Sequence, residues 1–267
     1  MILRAAVFAL AVMTSASVAA QDGGVRLYAA GSLRAVMTEI AQAFAASGGP
    51  AVSSTFGASG LLRERIEKGD PAEVFASADL GNAIALAQAG RAGPPIVFTR
   101  NRLCALVAPG VEVTTETLLE RMLDPGVRVG TSTPRADPSG DYTWRLFDKA
   151  DKLQPGAYAT LDRKALKLTG GPDSPPPPAG RSNYAALVEE RRADIFLTYC
   201  TNARQAVREV PGARMLSVPD GLAVGASYGL TVLEGARPAA QRFALFVVSI
   251  PAQEVFVRHG FTPVGMP

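Results

Sequence analysis

The chain of 267 residues is 48% hydrophobic and 19% charged, a composition that can bury a sizeable core and argues against intrinsic disorder. Its 27 Lys and Arg against 24 Asp and Glu leave a formal charge of +3, too small an excess to point to nucleic acid or an acidic lipid surface as partner. With one histidine and two cysteines, neither a zinc cluster of His and Cys nor a disulfide-built scaffold is indicated.

Residues 1–20 read as an export signal: Arg4 supplies the positive start, Ala5 to Val12 the apolar stretch, and Val18-Ala19-Ala20 a small-residue cleavage site before Gln21. That apolar stretch is too short to span a bilayer, and no later segment is long and apolar enough to do so. The expected product is a soluble protein outside the cytoplasm, in a bacterial periplasm.

After the signal, Val25 to Ala30, Val52 to Phe56 and Val74 to Ser77 read as short buried strands. Ala35 to Ala46, Leu61 to Lys68 and Asn82 to Ala89 carry apolar residues at helical spacing between and after them. The alternation predicts a parallel sheet covered by helices. Ile96 to Val107 is a long apolar run, read as a crossing into a second lobe where the pattern restarts. There the predicted elements are helix 116–123, strand 127–131, helix 144–150, strand 165–168, helix 184–191 and strand 195–199. Between the last two strands, residues 170–180 hold a proline run that favours an extended loop. Strand 227–233 and helices 238–248 and 252–259 then return to the first lobe. Residues 25–100 with 224–267 form the expected first lobe and 101–223 the second, with a cleft between them.

Two strand-to-helix junctions share one design: Tyr28-Ala-Ala-Gly-Ser-Leu-Arg34 and Thr55-Phe-Gly-Ala-Ser-Gly-Leu-Leu62. The first turn of a helix carries amides without intrahelical partners and a partial positive charge, so it suits an anion, and Ser32 and Ser59 each add a hydroxyl donor. Ser is also an ordinary N-cap and Gly an ordinary turn residue. What favours a site is the repetition, because consecutive units of an open parallel sheet bring their helix starts to one edge. Ser139 with Gly140 marks a third helix start, and Ala179-Gly-Arg-Ser-Asn183 a fourth, where Arg181 can bring charge to an anion or sit on a surface loop. Tyr199 ends a strand and can turn its hydroxyl into the cleft or simply pack there. Asp137 and Asp141 are read as caps of the turn before helix 144–150. Cys104 and Cys200 each sit in or beside a strand; they can bridge if those strands are neighbours, or remain buried thiols.

Ala29-Ala-Gly-Ser-Leu33, Ser54-Thr-Phe-Gly-Ala-Ser-Gly60, Pro71 to Asp79, Asn101 to Pro109 and the ending His259-Gly-Phe261 together resemble the molybdate-binding periplasmic proteins of ABC importers. The likeness runs through nearly all of the chain after the signal. It implies a type II periplasmic-binding fold: an α/β protein of two lobes, each a mostly parallel sheet flanked by helices, with the ligand cleft between them. It further implies a receptor that binds molybdate or tungstate and presents it to a membrane permease, acting as a monomer and without a cofactor. Carried over motif by motif, the resemblance makes Ser32 and Ser59 donors from the first lobe. The backbone amides of Ser139 and Arg181 and the hydroxyl of Tyr199 are the implied donors from the second. The chain departs from the usual pattern in a shortened turn at Asp137 to Tyr142, in its proline-rich loop, and in Asn202 where an aspartate is common.

Arg181 is also charged where the usual residue is not, so a receptor for another oxyanion or a small carboxylate is the alternative. An enzyme on the same scaffold would have to use Asp141 and Tyr199 as acid and base. The lone His259 and the absence of clustered carboxylates in the sequence weigh against it, and no metal ligands are expected beyond the oxygens of the bound anion.

Overall fold

A computed structural model describes residues 24–265; the export signal expected at residues 1–20 lies outside them. The chain opens with β1 (Val25–Ala30), which passes through a 3-10 turn at Gly31–Leu33 into α1 (Arg34–Ala46). Val36, Met37, Ile40 and Phe44 recur at helical spacing and are the buried face of α1, with the Phe44 ring 5.2 Å from that of Phe243. Next come β2 (Val52–Gly57), α2 (Ser59–Glu67), β3 (Val74–Ser77) and α3 (Gly81–Gln88), then the long β4 (Ile96–Val107).

There follow α4 (Leu118–Leu123), β5 (Val129–Ser132), α5 (Pro138–Leu153), α6 (Ala157–Lys164) and β6 (Leu166–Thr169). The chain continues with α7 (Asn183–Glu189), β7 (Ile195–Tyr199), α8 (Cys200–Glu209) and β8 (Arg214–Ser217). The chain then returns through β9 (Gly225–Val232) to α9 (Pro238–Val247) and α10 (Ile250–Arg258).

The strands run in the order β2-β1-β3-β9-β4-β7-β5-β6, with β8 also on β4. β1 is parallel to β2 and β3, and β5 is parallel to β6 and β7. β9 is antiparallel to β3 and β4, and β4 is antiparallel to β7 and β8, so the sheets are mixed where mostly parallel ones were expected. The reason lies in β4 and β9. From Ile96 to Arg102 β4 pairs with β9, and from Leu103 to Val107 it pairs with β7 and β8, so one strand passes through both lobes.

Three elements were not expected. α6 and β8 fall in segments read as connections, and α8 buries only small or polar side chains, Cys200, Asn202, Ala203 and Ala206 among them, so its apolar stripe is faint in sequence. α5 begins six residues before the predicted start at residue 144: Asp137 caps it by accepting from the Ser139 amide, and Pro138 occupies its first turn. Cys104 and Cys200 form a disulfide with their Cα atoms 4.8 Å apart, which resolves the open question of their pairing. His259, which ends α10, meets Glu39 of α1 at 2.7 Å.

Glu73 ties the start of β1 to the start of α9. Its carboxylate takes a two-pronged contact from Arg237 at 2.7 and 2.6 Å and the Arg26 amide at 3.0 Å, while Arg237 also reaches the Gly24 carbonyl. The Arg237 guanidinium holds the Glu73 carboxyl down to about 2, against a usual 4.5. A depressed acid contributes stability above its unfolded value and loses it as the pH falls through the folded one. Glu73→Gln is therefore expected to cost about 3 kcal/mol at pH 7, where the charge of the buried carboxylate on its bonds from Arg237 and Arg26 is lost, and almost nothing near pH 2. Urea denaturation of both proteins at the two pH values measures this, and an equal loss at both would refute the charge argument.

Candidate functional site

Between the lobes lies a cavity of about 380 Å³. Of the expected site residues, Ser32, Ser59, Arg181 and Tyr199 line it and Ser139 does not.

Ser59 is fully buried at the start of α2, and its Oγ accepts the Ala78 amide at 3.0 Å. With that lone pair engaged, its own hydrogen is left for whatever occupies the cavity. Ser32 sits in the 3-10 turn, its Oγ 3.0 Å from the Tyr228 hydroxyl, which lies 3.4 Å from the Asn101 amide group. Asn101 can only donate from that nitrogen, so Tyr228 accepts there, while between the Ser32 and Tyr228 hydroxyls either can be the donor. Tyr199 caps the start of α8 and its hydroxyl donates to the Ala78 carbonyl at 3.3 Å. Burial pushes this phenol well above its usual pKa, so it remains a donor at any physiological pH.

The lobes touch across this cleft. The Gly60 amide donates to the Ala136 carbonyl at 2.8 Å, next to Arg135, which holds a left-handed φ of 67° and donates its amide to Asp141. A left-handed non-glycine residue stores strain and persists only where its surroundings enforce it. Here it turns the carbonyls of Arg135 and Ala136 toward α2, since both oxygens crowd the Gly60 Cα.

Arg181 lies on the cavity wall, but its guanidinium is 2.8 Å from Glu189 and 3.9 Å from Glu209. Its amide donates to the Pro178 carbonyl at 3.2 Å. Neither the charge nor the amide expected from Arg181 is thus directed at a ligand in this conformation. The Ser139 amide is likewise engaged, by Asp137 at 3.0 Å, whereas the Ser139 hydroxyl is buried without a hydrogen-bond partner.

Asp137 was read as a cap; it is one, and it also lines the cavity. Burial raises its carboxyl to about 6, helped by the nearby charges of Asp141 and Asp79 and opposed by hydrogen bonds from the Ser139 amide and the Ser132 hydroxyl. The proline loop, read only as a connection, supplies Pro175, Pro176 and Pro177 to the outer wall. Phe56 is on the wall too, with the Arg34 guanidinium 4.7 Å from its ring centre. No site role was read for Tyr228 or Asn101, because Tyr228 meets Ser32 across 196 residues and Asn101 meets Tyr228 across 127.

Residues 25–262 match the bacterial extracellular solute-binding protein family. The chain belongs to that family. An uncharacterized protein of Pasteurella multocida is 37% identical over 206 residues, spanning 77% of this chain and 85% of its own length. The molybdate-binding protein of Escherichia coli is 27% identical over 265 residues, 95% of each chain. Among solved structures, the sulfate-binding protein of Mycobacterium tuberculosis superposes with a TM-score of 0.73 at 21% identity, covering 91% of this chain and 87% of that one. The two-lobed layout of this solute-binding protein is the one these structural neighbours share.

Proposed function

We propose that this solute-binding protein is a periplasmic receptor that captures a tetrahedral oxyanion, molybdate or tungstate, and delivers it to the permease of an ABC importer. The observation that carries the reading is the pair of serines that line the cavity at two helix starts, Ser59 with its oxygen already accepting the Ala78 amide so that its hydrogen is left for a ligand, and Ser32 with its hydroxyl against that of Tyr228. Tyr199 lines the cavity from the other side, and its hydroxyl becomes a third neutral donor once a ligand oxygen takes the place of the Ala78 carbonyl it now meets at 3.3 Å. Preorganised donors in a site screened from water hold a dianion without a matching positive charge. The similarity to a molybdate-binding protein over 95% of the chain supports the choice of ligand. The same sites give no pairing of nucleophile and base, and the protein is read as a carrier rather than a catalyst. With Arg181 turned to Glu189, a carboxylate receptor built on that arginine is the weaker reading.

Calorimetric titration of the dialysed protein with molybdate, tungstate, sulfate and phosphate tests this. Tight binding of the first two with the others silent is expected; tight binding of sulfate alone, or of none, would overturn the ligand assignment. Asp137 makes the affinity depend on pH. Its carboxyl is neutral below about 6 and charged above, and the charge on the wall opposes a dianion. Affinity for tungstate is expected to fall about tenfold from pH 5 to pH 8, and Asp137→Asn, which keeps the cap, is expected to flatten that profile. An unchanged slope in the variant would remove Asp137 from the account.

A further inference from the structure

We infer that the cleft holds a second subsite beside the oxyanion donors, shaped for an organic group, so that its ligands include oxyanions carried on a small hydroxylated carbon skeleton, as in a phosphate monoester. This rests on the reading of the cleft as an oxyanion site. Four oxygens at the share of a water molecule in the liquid fill about 120 Å³, roughly a third of the cavity. The excess is not the gap of an open protein, because the lobes already meet through Gly60 with Ala136 and Tyr199 with Ala78.

The surplus space has its own chemistry. The hydroxyls of Ser32, Ser59 and Tyr199 lie on lobe faces brought together by helix starts, whereas Phe56, Leu61 and Pro175 to Pro177 give the same cavity an apolar wall. An apolar wall offers nothing to a bare dianion, which is better solvated by water, but it suits a carbon skeleton. Asp137 completes the contrast. A carboxylate accepts at about four lone-pair positions, and only the Ser139 amide and the Ser132 hydroxyl are assigned to it. Beside a bare dianion its charge is a liability, while beside a hydroxylated substituent it is an acceptor that holds the group in register.

The test is titration of the wild-type protein and two variants with molybdate, inorganic phosphate, methyl phosphate and glycerol 3-phosphate. Ala35 lines the cavity yet is exposed, so Ala35→Trp can take up the surplus cavity volume without threatening the core. Glycerol 3-phosphate is expected to bind about tenfold or more tighter than methyl phosphate and inorganic phosphate, and to lose about tenfold in Ala35→Trp and in Asp137→Asn. Molybdate, which needs only the oxyanion donors, is expected to change little in Ala35→Trp. Tight molybdate binding with no preference among the phosphates would overturn the subsite and leave the oxyanion reading standing. Silence toward all four probes would overturn both.

Discussion

Gly60→Ala is expected to weaken binding of the cognate oxyanion by about 100-fold or more while leaving both lobes folded. A Cβ at this position would stand 2.2 Å from the Arg135 carbonyl oxygen and 2.8 Å from that of Ala136. Both neighbours are backbone atoms of a turn already held in left-handed conformation at Arg135, so neither can give way cheaply. The overlap is relieved by parting the lobes, which breaks the Gly60 to Ala136 bond and admits water to the donors. Neutral donors hold a dianion well only when water is excluded, so the loss is larger than that of one hydrogen bond. Calorimetry gives the affinity and thermal unfolding the stability. An affinity within threefold of wild type would show that the lobes close without this contact.

The second large effect is expected from the disulfide. Cys104 of β4 is joined to the first residue of α8 across 96 residues of chain, and a loop of that length restricts the unfolded state strongly. Replacing both cysteines by serine is expected to cost about 4 kcal/mol, read as a lower urea midpoint. The consequence for the site follows from register: Tyr199 pairs with Leu103 on the strand, one residue before each half of the bridge. Loss of the bridge frees the start of α8 beside that tyrosine, so affinity is expected to fall along with stability. A double variant with unchanged midpoint would show that the pairing of β4 with β7 and β8 suffices.

The first lobe was legible in the sequence, and the reason is its period. β1, β2 and β3 are short apolar runs divided by helices of clear spacing, and their predicted bounds lie within a residue or two of those observed. β4 and β7 were legible too, since Ile96 to Phe98 and Leu103 to Val107 are apolar on either side of a polar middle and Ile195 to Tyr199 is apolar but for Thr198. α8 was not, because its buried face is built of small residues, and the start of α5 was hidden behind a proline and a glycine that also serve in turns.

The sequence by itself determined the alternating α/β order and the serines that stand at two helix starts. These follow from local rules, hydrophobic period and capping chemistry, that act within a few residues. Tertiary structure alone decided that β4 and β9 run antiparallel through the middle, because pairing direction depends on which distant strands meet. It also turned the Arg181 charge to Glu189, set Tyr228 behind Ser32, and brought Asp137 to the cavity wall. Each of those is an encounter between residues far apart in the chain or a choice among rotamers, and neither leaves a trace in local spacing.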